Sequence, residues 1–220
     1  MAELVIVGAG GFSRQIAELL EELTLDGPCR VLAGFLDDDP ALAGSHVLGY
    51  QVLGPLTIAR ELDADRKFII GVANVRRPDS RRAIVSRLEL PADRYASLIH
   101  RSASVSKRAE IGEGSVVLQN VVISHGAVLA AHVLVSPGCV ISHDARLDSG
   151  VTLAAGVLVG GGCALGAGAY LGAGCTIRDG VKIGEGAIVG MGAVAVKDVA
   201  RGVTVFGCPA RERNKVASGV

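Results

Sequence analysis

The chain of 220 residues carries 22 basic and 22 acidic side chains, so its formal charge is zero and it shows no basic footprint for nucleic acid or an anionic membrane. Half of the residues are hydrophobic, yet there is no Trp, four Phe and three Tyr against 30 Gly, which predicts a core of small and branched side chains in closely stacked layers. No stretch of 18 apolar residues runs without a polar or Gly interruption, which argues against a membrane span.

"MAELVIVGAGG" lacks the basic region and cleavage site of a secretion signal, so a cytoplasmic location is expected. "LVIV" (4–7) is predicted as a strand that enters a glycine turn, and "FSRQIAELLEEL" follows as a helix, with Ile16, Leu19, Leu20 and Leu23 at i, i+3, i+4 and i+7. "VLAGFL" (31–36) is a second strand ending in acidic residues, and "KFIIGV" (67–72) is a third. "RPDSRRAIVSRL" (77–88) is a second helix with Pro78 near its start. This alternation predicts a small parallel α/β domain over residues 1–97. The arginines Arg76, Arg77, Arg81 and Arg82 are expected on a solvated helix face, where one could also meet a phosphate.

From residue 98 a second domain, 98–220, follows a different rule. Every sixth residue from Ile99 to Val189 is Ile, Leu or Val, and the residue two places before each is Ala, Ser, Val or Cys. A strict six-residue period is neither helical nor simple strand alternation. It is the signature of a parallel β-helix, in which each repeat needs its neighbours to bury its apolar residue. Cys139, Cys163 and Cys175 fall on the small inward positions, so no redox or metal role is expected of them.

"IGEGSV", "LGAGAYLGAGCTIRDGVKIGEGAIVGMGAVAVKDV" and "VFGCPAR" resemble the left-handed β-helix acyltransferases. Together with "GAGGFSRQI", "FLDDD", "ASLIH" and "ISHDARL", they resemble the bacterial sugar acetyltransferases that modify nucleotide-linked amino sugars, some of whose relatives O-acetylate sialic acids. The resemblance covers nearly the whole chain. It implies an enzyme with a Rossmann-like α/β domain followed by a left-handed parallel β-helix with 18 residues per triangular turn. It also implies a homotrimer with acetyl-CoA in clefts between subunits, and no metal.

With 18 residues per turn, His143 falls above His125 and below Gly161, about 4.8 Å from each, the spacing of adjacent strands. By resemblance His143 is the catalytic base, Asp144 its orienting carboxylate and Gly161 the donor of an N–H to the thioester carbonyl. The resemblance also places Thr152, Gly161, Ala173, Gly190 and Lys197 against acetyl-CoA, although related sequences often carry a second histidine at the position of Thr152. His125 replaces a small residue; it either lines the sugar site or occupies a surface corner. In the first domain, the glycine loop suits a phosphate because glycines allow close approach and the helix N-terminus offers N–H groups. Ser13, however, holds the third glycine's place in the dinucleotide fingerprint. The implied nucleotide-sugar contacts are Gly8, Gly10, Gly11, Phe12, Asp37, Asp38, Asn74 and Arg81, with Phe12 where relatives frequently carry His.

The activity so implied is transfer of an acetyl group to the amine of a nucleotide-linked 4-amino-4,6-dideoxy sugar in glycan biosynthesis. O-acetylation of a sialic acid or another sugar hydroxyl is the alternative. A zinc hydratase using His125, His132 and His143, and a module that binds sugar nucleotide without chemistry, are weaker readings. His132 sits at a different place in its hexad, and a hydratase needs no nucleotide-type domain.

Overall fold

A computed structural model describes residues 3–25 and 31–212. The first half contains β1 (Glu3–Val7), α1 (Gly11–Leu25), β2 (Val31–Leu36), β3 (His46–Val47), β4 (Tyr50–Gly54), β5 (Lys67–Ile70) and α2 (Ser80–Leu88). They build a sheet of order β3-β4-β2-β1-β5, parallel except for β3. Central β1 is covered on both faces, so Leu4 to Val7 are fully buried and the strand is a continuous apolar run rather than an alternating one. The three expected strands and both helices are present. The β3–β4 hairpin is an addition: Leu48 and Gly49 turn it with φ of 51° and 82°. Leu-Gly is not one of the usual signals for such a turn.

The second half is a left-handed parallel β-helix of two-residue strands. Up to the last coil each strand pairs in parallel with the one 18 residues later, as in Val122↔Val140, Val140↔Leu158 and Leu158↔Thr176, and the closing coil is shorter, with Ile188 paired to Thr204. Three sheets result, one per side of the triangle. The apolar residues at the six-residue period form one continuous core from Val117 to Val189, each 0–2% exposed, with Cys139, Cys163 and Cys175 among the small inward residues. Fully burying a branched aliphatic contributes about 1.5–3 kcal/mol, and here the contribution recurs at every hexad. Ile99 departs from the pattern at 39% exposure because the first coil has none beneath it. From Gly114 to Gly192 each corner turns through a residue with positive φ, almost always glycine; the exceptions are Asn120, His132 and Asp144.

The halves share a core. Leu98, Val116, Leu118 and Leu134 from the lower coils pack with Leu4, Ile16, Leu19 and Phe35. Arg81 corrects the expectation of a solvated face, because it is 1% exposed. Its Nε donates to the Val72 carbonyl at 3.2 Å, its Nη1 to those of His132 and Gly150 at 2.9 and 3.1 Å, and its Nη2 to Thr152 Oγ1 at 2.7 Å. Burial pulls the guanidinium down to about 9, still well above neutrality, so it enters the interface as a cation solvated by carbonyls.

Candidate active site

His143 and Asp144 occupy one corner of the coil, two and three places after the inward Ile141. The His143 ring points outward with 58% of its side chain exposed, and its Nδ1 lies 3.0 Å from Asp144 Oδ2. A carboxylate only accepts, so Nδ1 carries the proton and Nε2 keeps a lone pair facing out. That hydrogen bond holds the Asp144 carboxyl below its usual range, helped by the Arg146 charge and, when they are protonated, by His143 and His125. Asp144 has a φ of 58°, in the left-handed region that non-glycine residues enter at a cost.

The column expected from the 18-residue turn is present. The His125 ring stacks on that of His143 at 5.6 Å between centroids and 13° between planes. Above, Gly161 lies against the imidazole: a methyl group there would come within 2.5 Å of Nε2, so only glycine leaves the ring its place. The Gly161 amide is engaged, donating to Asp179 Oδ1 at 2.8 Å. Asp179 was not singled out in the sequence, although its position 18 residues after Gly161 is the signal that finds it. Exposed Lys197 lies one coil further along the same column and lines a cavity of about 350 Å³ with Val203 and Arg211.

The other residues assigned to acetyl-CoA do not meet at this corner within one chain. Thr152 belongs to the side of the coil that faces the first domain, is 5% exposed and is held by Arg81. It is therefore part of the interface between the halves and not an open cofactor contact. Exposed Ala173 lies at the next corner along from that side, and Gly190 is covered by the Phe206 ring.

His125, His143 and Asp144 each offer a donor atom within 4.8 Å of the others, the one such group among the described residues. His132 does not join them. It is 5% exposed and packs edge-on against Tyr95 at 4.6 Å, so the three-histidine set of a hydratase is not assembled in this chain.

In the first domain the assigned residues, except Arg81, gather where the parallel strands end, the place where ligands of open α/β sheets sit. Gly8 follows β1, Asp37 follows β2 and Asn74 lies in the turn after β5. Gly10 and Gly11 open α1 and have unfilled space around their Cα atoms, whereas Phe12 packs on the core. Asp37 braces the loop: its Oδ2 accepts from the Ala9 amide at 2.7 Å and its Oδ1 from that of Asp39 at 2.9 Å. Asp38 accepts from the Leu56 amide and pairs with Arg87. Arg81 points away into the interface and is no phosphate clamp. Ser13, buried at the third glycine's place, donates to the Gly71 carbonyl at 3.1 Å. A side chain at Gly71 would collide with Ser13, so the small residue for close helix–strand packing has moved to the strand.

Residues 3–88 match the family described as PglD N-terminal domain, and residues 162–195 match the bacterial transferase hexapeptide (six repeats). The acetyltransferase domain of PglB from Neisseria gonorrhoeae is 32% identical, with a TM-score of 0.83 over 97% of this chain and 100% of that one. A perosamine N-acetyltransferase from Caulobacter crescentus, solved as a histidine-to-asparagine mutant in complex with CoA and GDP-perosamine, is 28% identical, with a TM-score of 0.85 over 98% of each chain. A UDP-N-acetylbacillosamine N-acetyltransferase of Bacillus subtilis is 36% identical over 121 residues, so the match spans about half of that curated relative (52%) and 54% of this chain. Likeness over nearly the whole of both solved chains means that they share this two-part architecture. The chain belongs to the family of bacterial hexapeptide-repeat acetyltransferases with a PglD-type N-terminal domain.

Proposed function

We propose that the chain is an acetyl-CoA-dependent N-acetyltransferase acting on the amine of a nucleotide-linked 4-amino-4,6-dideoxy sugar, by direct attack with His143 as general base. The observation that carries the reading is the His143–Asp144 pair. An acidic residue sits at a left-handed corner otherwise given mostly to glycine, hydrogen-bonded so that Nε2 is the free basic atom. The sugar nitrogen would attack the thioester carbonyl carbon, forming the C–N bond. Nε2 would take the nitrogen's proton, and the imidazolium would be held by Asp144. Collapse would break the C–S bond, and His143 would return the proton to the departing sulfur. Relatives support the substrate class: one is named for a UDP-linked amino sugar, and another was solved with CoA and GDP-perosamine.

The glycine loop and Asn74, at the strand ends, would take the sugar nucleotide, with Asp37 keeping the loop in shape. This reading divides the labour near residues 97 and 98. Assembly as a trimer fits an apolar stripe on the side of the coil that leads into the His143 corner, where Val122 and Leu158 are 38% and 45% exposed with Val140 between them. A subunit boundary there would bring a neighbour's surface to His143 and supply CoA contacts that one chain leaves apart. No helix among the described residues is long and apolar enough to cross a membrane. A cytoplasmic enzyme of glycan biosynthesis accords with this chemistry.

The test is incubation with acetyl-CoA and a panel of UDP-, GDP- and dTDP-linked 4-amino sugars, followed by mass spectrometry. One added acetyl group on one donor is the expected outcome. Acetylation of a sialic acid with none of the amino sugars modified would replace N-transfer with O-transfer.

A further inference from the structure

We propose that Asp179 guards the Gly161 amide, and that the acetyl group of acetyl-CoA must displace it to reach the catalytic corner. The inference deepens the acetyl-CoA reading and rests on it. The Asp179 carboxylate is folded down over the 160–161 peptide. Its Oδ1 accepts the Gly161 N–H at 2.8 Å, and a side chain at Gly160 would strike the same oxygen. Gly161 is the residue that the His143 imidazole touches from below, so Asp179, the amide and Nε2 line one edge of the coil.

A thioester carbonyl reaching His143 along this edge meets an amide already bonded to an anion. Two consequences follow from charge. A carboxylate is a stronger acceptor than a neutral thioester oxygen, so the acetyl group binds against competition. A carboxylate that stayed in place would also face the negative oxygen that forms during attack, so it must leave for the amide to stabilise that oxygen. Asp179 is exposed and its carboxylate is joined to the corner through this hydrogen bond, which leaves its side chain able to rotate into solvent. Free CoA ends in a thiol and has no thioester carbonyl to offer at this corner, so it binds with the guard closed. Asp179 is thus a positioning residue that acts through Gly161 and separates the acetylated from the spent cofactor.

The experiment is calorimetric titration of wild type, Asp179→Ala and Asp179→Asn with acetyl-CoA and with CoA, together with steady-state kinetics. Asp179→Ala should bind acetyl-CoA roughly three- to tenfold more tightly while its affinity for CoA stays within about twofold. KM for acetyl-CoA should fall with kcat no lower. The isosteric Asp179→Asn keeps an acceptor without the charge and should shift the same way by less; it carries the test if the alanine variant fails to fold. Equal shifts for the two ligands would mean that only the removal of a nearby charge was felt, and would overturn the guard, as would no shift or weaker acetyl-CoA binding. If wild type binds neither acetyl-CoA nor CoA, the acetyltransferase reading itself falls and the guard with it.

Discussion

Asp144 holds a backbone conformation that the coil otherwise gives to glycine at almost every corner. A left-handed φ costs a non-glycine residue on the order of 1 kcal/mol, reduced for Asp because its short side chain bonds locally. Asp144→Gly should therefore melt at or above the wild-type temperature while kcat falls about 10- to 100-fold. A loss of stability in that variant would show that Asp144 serves the fold. His143→Ala should lower kcat by roughly 10²- to 10⁴-fold with melting and CoA binding intact, since the ring points out of the core. Near wild-type turnover would remove the base from the mechanism. The column itself was legible, because positions 125, 143 and 161 follow from the six-residue period once the family resemblance supplies three hexads per turn. The state of the Gly161 amide was not, since a hydrogen bond to Asp179 depends on which way an exposed side chain folds.

Between elements, α2 is fastened to the coil by a cation, and sequence reading missed it. Arg76, Arg77, Arg81 and Arg82 look alike as a string. What singles out Arg81 is that corner carbonyls of two successive coils, at His132 and Gly150, converge on its guanidinium. Such carbonyls come together only in the folded coil. Arg81→Met keeps most of the volume but strips donors from buried acceptors, and urea unfolding should show a loss of about 3 kcal/mol, less whatever burying the cation had cost. A loss under 1 kcal/mol would mean that water replaces the guanidinium at little cost. By contrast the coil's inward residues were readable one by one from Val117 to Val189, because a six-residue period permits a single burial pattern.

At the scale of the whole molecule, acid should open the seam between the halves. Burial, aided by the Arg81 charge and opposed by Glu113, brings His132 down to about 4. Its ring is 5% exposed, with Nδ1 lacking a hydrogen-bond partner. Between the ordinary histidine value near 6.5 and about 4, the unfolded chain takes up a proton that the folded one refuses. Stability therefore falls as pH drops through that window, by on the order of 2–3 kcal/mol, and no further from this group below it. Urea midpoints for wild type and His132→Asn at pH 7.5 and 4.5 should converge on the acid side, the variant having lost most of the dependence. Parallel curves would assign the acid sensitivity elsewhere. On the proposed trimer, Leu158→Glu places a charge on the exposed apolar stripe and should yield monomer by light scattering, with activity lost because the proposed CoA site lies between subunits. A trimer that survives would move the subunit boundary to another face.

The eighteen-residue register has one more consequence. A corner residue keeps its neighbours only if the chain between coils changes by whole turns. A one-residue deletion between Asp144 and Val159 would shift every later side chain by an eighteenth of a circuit and part His143 from Gly161. Insertion of a complete turn above Val194 would leave the corner untouched and lengthen the barrel by one step of about 4.8 Å. The molecule is graduated like a rule: its chemistry can be lengthened in units, or ruined by fractions of one.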